Sequence, residues 1–291
     1  MSLLSKLTPD QVIEKPFPHI VVENILEPAF CEQLIKEFPK LNKFTKGKKY
    51  SDNHKIYLPA YRAINDSTLS DSWRKFTIEH CEDAIWKDAL RLFRPYILKE
   101  YPDFEQRFAL LDELETALRD KNTNSNIAKN QVLLDSKILI HTPIFNQTCV
   151  QRQPHLKILK TLFLSYLSLK PDEDKSEGAE HIFYSLKPGK ELILGDHQVV
   201  DIELLNIEKV IPYKKNTFVI FMNTPNAIQG VAARSPSPIP YMAHHFTMHV
   251  KEALFTCKLK PGVMASEIEN LMPWYKKYPR TVKRIINNII R

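Results

Sequence analysis

The sequence predicts an α+β chain: a helical N-terminal third, a β-rich middle and a helical end. Three observations carry this. Apolar residues recur at helical spacing from about Asp71 to Ala117, short β-branched and aromatic runs separated by turns follow Gln131, and the last residues return to helical periodicity. With 43% hydrophobic and 26% charged residues in 291, the chain can bury a substantial core and has room for one large domain with additions.

The segment KPFPHIVVENILEPAFCEQLIKEFP reads as a strand from His19 to Glu23, a turn at Glu27-Pro28 and a helix whose apolar stripe is Phe30, Leu34, Ile35 and Phe38. In the next helical stretch Trp73, Phe76, Ile78, Ile85, Trp86, Leu90 and Phe93 recur largely at three-, four- and seven-residue spacing, the pattern of a core face. Lys121 to Gln131 is polar and without period, and so predicts an exposed loop. The runs VLLDSKILIHT, LKILKTLFLSYLSLK, EHIFYSLK, ELILG, VVDIELL, NTFVIFMN and YMAHHFTMHV then predict strands of a sandwich or barrel. The expected organisation is residues 1–125 as an N-terminal strand and helical region packed on the core, 126–257 as the β core and 258–291 as a C-terminal helical tail, one structural unit overall.

The tail PRTVKRIINNIIR places Val282, Ile285, Ile286, Ile289 and Ile290 on one side and Arg280, Lys283, Arg284 and Arg291 largely on the other. Such a helix either packs on its own domain or makes weak peripheral contact with an anionic membrane. The formal charge of +7 permits an anionic partner, but basic residues are interspersed with acids, so nucleic acid is allowed without being indicated. No apolar run is long enough to span a bilayer, and the opening MSLLSKLTPD lacks the long apolar region of a secretory signal, so a cytoplasmic location is expected. Cys31, Cys81, Cys149 and Cys257 are too far apart for a paired-cysteine zinc motif and are expected to be reduced thiols. No Gly-rich phosphate loop or nucleophile elbow is present, which removes the usual kinase and hydrolase signatures.

Three segments together resemble the 2-oxoglutarate/Fe(II)-dependent oxygenase superfamily, in particular its prolyl-hydroxylase-like branch. PFPHIVVENILEPAFCEQLIKEFP is similar to the strand-and-helix entry of those proteins. VQRQPHLKILKTLFLSYLSLKPDEDKSEGAEHIFY is similar to their strand with the His-x-Asp motif, the next strand, an acidic loop and a Gly-containing return. NTFVIFMNTPNAIQGVAARSPSPIPYMAHHFTMHV is similar to the strands bearing the second histidine and an oxoglutarate-binding arginine. The resemblance implies a double-stranded β-helix, or jelly roll, for the β core.

It also implies a metal position at which this chain departs from the pattern. Two imidazoles and a carboxylate hold iron(II) in that family, and residues i and i+2 of a strand supply two of them from one face. Here the matching residues are His155 and Lys157, with Leu156 turned away, and the second histidine matches Gln229. The cosubstrate arginine falls near Tyr241 and Met242, neither of which can make a bidentate pair with a carboxylate, and Arg234 lies too early to match. A dication about 4 Å from an ammonium is repelled by about 8 kcal/mol at an effective dielectric near 20.

The resemblance with these losses implies a catalytically degenerate pseudo-oxygenase with no cofactor, binding a protein, glycan or small anion partner or pairing with an active homologue. Lys157 would occupy the old metal position, bonded to Gln229 beside a neutral His155, or else extend to solvent. Under the alternative, Fe(II) and 2-oxoglutarate are used at a non-standard site, or new chemistry has arisen around His155, Lys157 and Tyr241. A relocated metal site would draw on His244, His245 or His249 with His141, His181 or His197, although such histidines are more often structural. The acidic run Pro171 to Gly178 reads as a solvated loop.

Overall fold

The computed structural model describes residues 2–120, 126–148, 152–157 and 159–260. The loop at 121–125, Cys149 and the tail from 261 onward, including its expected helix, lie outside the described residues.

The chain begins with β1 (His19–Glu23), followed by α1 (Pro28–Lys36), α2 (Leu41–Thr45), β2 (Lys55–Leu58) and α3 (Ala60–Ala63). Next come α4 (Asp71–Glu79), α5 (Asp83–Glu100), α6 (Phe104–Arg107) and β3 (Glu115–Leu118). The core strands are β4 (Gln131–His141), β5 (Arg152–His155), β6 (Thr161–Ser168) and β7 (His181–Leu186), then, after the short β8 (Ile193–Leu194), β9 (Leu205–Ile211), β10 (Thr217–Met222), β11 (Ile228–Val231) and β12 (Tyr241–His249). A last short strand, β13 (Lys258–Leu259), lies parallel to β8.

One sheet has the order β1-β10-β6-β12-β4-β2, with β3 also on β4, and the other has the order β5-β11-β7-β9. From β4 to β12 the chain alternates between the two sheets, except that β7 and β9 are neighbours, and these strands pair antiparallel. That path is the jelly roll, the double-stranded β-helix expected from the sequence resemblance.

Alternation along β12 explains the layers. Met242, Phe246 and Met248 enter a core with Trp73 and Phe76 of α4 and Trp86, Leu90 and Phe93 of α5, while Tyr241 and Ala243 face the second sheet. Covered on both faces, β12 is buried along its whole length. A second core, with Phe17, Leu156, Phe183 and Phe221, lies between the sheets.

Two expected elements differ. The helical pattern of Asp71 to Ala117 ends at Arg107, and residues 115–118 lie parallel to the start of β4. Pro102 disfavours helix at Tyr101, where α5 gives way to the short α6, and the β4 partner of residues 115–118 is invisible to local periodicity. Within VVDIELL, the Asp201 carboxylate accepts the Glu203 N–H and starts a 3₁₀ turn at Ile202–Leu204, so the strand begins only at Leu205. Lys55–Leu58 is a further strand that local patterning does not reveal.

Candidate functional site

The residues singled out at the expected metal position come together between the sheets. His155 on β5 and Gln229 on β11 are direct partners across an antiparallel ladder. Both line a cavity with Lys157, while Leu156 is buried in the inter-sheet core. The facing sheet contributes Lys55, His141 and Tyr241, which stand in register across β2, β4 and β12. Of the two positions matching the cosubstrate arginine, Tyr241 lines the cavity and Met242 lies in the helix-side core.

The side chains do not bond as expected from the sequence. Gln229 Oε1 accepts from His181 Nε2 at 2.5 Å, and the Lys157 ammonium lies 5.9 Å from the centre of the Tyr166 ring. This replaces the expected Lys157–Gln229 hydrogen bond. His155 Nδ1 donates to Gln153 O at 2.9 Å, while His155 Nε2 and Gln229 Nε2 are buried without a hydrogen-bond partner.

Arg152 is the contributor least visible in the sequence. Three residues before His155, it would face the other way on a regular strand, but the register of β11 against β5 shifts between Gln229 and Val231 and both side chains reach the cavity. Lys55 escapes notice because the strand that carries it does.

The lining therefore holds three basic side chains, Lys55, Arg152 and Lys157, and no carboxylate among the described residues. The consequences run in one direction. Burial and then Arg152 lower the Lys55 ammonium to about 7. Burial, followed by Lys55 and Arg152, lowers Lys157 well below the usual lysine range, although part of the residue still meets solvent. Burial and then Lys157 keep His155 neutral, and burial holds His181 down to about 3 against the opposing effect of its bond to Gln229.

Iron(II) does not fit this donor set, in which one imidazole, one ammonium and one carboxamide stand where two imidazoles and a carboxylate are needed. The remaining cavity of about 30 Å³ has room for about two waters and is too small for 2-oxoglutarate.

The other histidines are separated. His245 stacks on Tyr166 at 4.5 Å, whereas His244 faces the helices and shares a 2.6 Å hydrogen bond with Ser136 Oγ. His249 is held by Thr161 and Thr247 hydroxyls, and His197 sits in a 3₁₀ turn away from the cavity. Among the described residues no three His, Cys, Asp or Glu side chains are placed to hold a metal ion. The acidic run is not wholly solvated: Asp174 is buried and receives Arg234 Nη2 at 2.8 Å, with Ser176 and Ser237 completing the cluster. Cys31, Cys81 and Cys257 are free thiols, pushed up by burial to about 11, 12 and 11. Among the described residues no helix is long and apolar enough to cross a membrane.

No family model matches the chain, and no curated protein matches it in sequence. Three similar solved structures illustrate the likeness found by comparing folds. A Pseudomonas putida prolyl-4-hydroxylase is 9% identical over 86% of this chain and 99% of its own, with a TM-score of 0.44. A non-heme alpha ketoglutarate dependent carbocyclase from nogalamycin biosynthesis is 13% identical over 89% of this chain and 90% of its own, with a TM-score of 0.44. A prolyl 4-hydroxylase from Phytophthora capsici is 10% identical over 97% of this chain and 71% of its own, with a TM-score of 0.46. At such values the strand order, rather than the likeness, defines the fold. By its strand order the chain is a double-stranded β-helix.

Proposed function

We propose that this chain is a non-catalytic, oxygenase-like binding protein whose converted cavity receives a small anionic group. The observation that carries this reading is the convergence of Lys55, Arg152 and Lys157 on one cavity with no carboxylate among the described lining residues. Two like charges about 6 Å apart repel by roughly 3 kcal/mol at an effective dielectric near 20. Such a cluster sheds protons or takes an anion, and only an anion stabilises all three charges together. The unpartnered Gln229 Nε2 supplies a neutral donor beside them.

The cavity volume limits what enters to a halide or the outer oxygens of a phosphate or carboxylate presented at the mouth. Thermal unfolding with bromide or inorganic phosphate, at constant ionic strength, tests the reading. Saturable stabilisation that is lost in Lys157→Met is expected. An identical response in the variant, or stoichiometric iron with oxoglutarate turnover in anaerobically purified protein, would overturn it.

A further inference from the structure

Tyr57, 36% exposed near the end of the edge strand β2, lies beside the cavity residue Lys55 and lines a second concavity. Its ring is met by Lys55 Nζ at 5.0 Å and Lys137 Nζ at 5.6 Å, and Lys55 lines the cavity. The same tyrosine lines a groove of about 410 Å³ that also holds Lys43, Lys46, Arg62 and Asp66. Asp66 is paired with Lys43, and Asp135 with Lys137. Lys46 and Arg62 take no carboxylate partner among the described residues, and neither do Lys55, Arg152 and Lys157. Five basic side chains without a carboxylate partner among the described residues thus line the groove and the cavity, with the partly exposed Tyr57 beside them. Folding has segregated charges that are interspersed along the chain.

Two further exposed aromatics, Tyr50 and Phe145, adjoin the loop that bonds the cavity residue His141. Asp52 Oδ2 accepts the backbone N–H of Phe145, a residue 66% exposed. Its neighbour Asn53 is joined to the cavity residue His141 through Asn53 Oδ1 and His141 Nδ1 at 3.1 Å, and Tyr50 stacks on His54 in the same loop. Cations spaced along a concave path, interleaved with aromatic faces, match the chemistry of a single strand, in which phosphates are neutralised and unpaired bases stack. A sulfated glycan would use the charges without needing the ring faces, and a membrane surface would not follow a concave track.

We propose that this track binds a single-stranded phosphodiester chain, with a base on Tyr57 and phosphates along Lys46 and Arg62 and at the cavity mouth. At its cavity end the proposal rests on the anion reading above.

The test is fluorescence anisotropy of labelled oligo-dT and oligo-U with the full chain across a salt series. Five engaged cations predict a slope of log affinity on log salt near −3.5, at about 0.7 per phosphate for single strands. Lys46→Glu with Arg62→Glu should lower affinity at least tenfold and flatten the slope. Tyr57→Ala should lower it roughly tenfold with the slope unchanged, while Tyr57→Phe keeps it. Absence of oligonucleotide binding overturns the proposal, as does equal binding of duplex DNA or heparin that ignores Tyr57. Stabilisation by phosphate without oligonucleotide binding overturns the nucleic-acid partner alone and leaves the cavity reading standing. Oligonucleotide binding indifferent to Lys157→Met upholds the groove and removes the cavity from the track.

Discussion

Gln229 stands directly opposite His155 on adjoining strands, yet its side-chain oxygen accepts its hydrogen bond from His181 on the other neighbouring strand. The carboxamide oxygen is thereby engaged within its own sheet, while Nε2 is left buried without a hydrogen-bond partner. Lys157 turns toward Tyr166.

Restoring the missing donors should restore metal affinity. Lys157→Asp combined with Gln229→His would place a carboxylate and a second imidazole around His155, and Mn(II) binding measured by titration should tighten by roughly 100-fold. Lys55 and Arg152 remain in the lining and keep the gain below what charge reversal alone would give.

Removing one cation should stabilise the protein when no anion is available. Lys157→Met relieves repulsion within the cluster, and in halide- and phosphate-free buffer the unfolding free energy should rise by about 1 kcal/mol, discounted for partial exposure. Anion affinity should also depend on pH through Lys55, lowered to about 7 in the free protein. An anion favours its charged form, so bromide, whose own charge does not change with pH, should bind more tightly as pH falls from about 8.5 toward 6.

Acid sensitivity should come from buried neutral histidines. His80 is held to about 4 and His181 to about 3, in each case chiefly by burial. Below the unfolded value near 6.5 the unfolded chain takes protons that these groups refuse. Stability is therefore fully present above that pH and is lost as pH falls toward 4, at up to about 1.4 kcal/mol per pH unit for each group. Denaturant melts at pH 7, 6 and 5 would show it.

The Asp174 cluster should be intolerant of change. Asp174→Ala leaves Arg234 charged and fully buried, a loss of about 3–5 kcal/mol. Gly178 has φ +86°, and a Cβ there would lie 1.9 Å from Ala233 O, so Gly178→Ala should destabilise by several kcal/mol or prevent folding. Thermal denaturation of both variants checks this.

Much of the architecture was legible because alternation and helical spacing report burial: His19–Glu23 and the long central strands lie where the pattern puts them. The grouping of His155, Lys157 and Gln229 was legible only through resemblance, since nothing local joins residues more than seventy positions apart. Lys55 and Arg152 were not legible. One sits on a short edge strand and the other reaches the site through a register shift, and both depend on pairings made far along the chain. Asp174 resembled a solvated loop acid because its partner, Arg234, lies sixty positions away.

The pairing of β1 with β10 has a further consequence during synthesis. His19 finds its partner, Phe221, only after about two hundred further residues have left the ribosome. Until β12 is made, β4 and β6 are not joined into one sheet, and the core they form with α4 and α5 lacks Met242, Phe246 and Met248. Late closure of this kind favours slow maturation and exposes the nascent chain to aggregation, so high-level expression should depend on chaperone capacity and temperature.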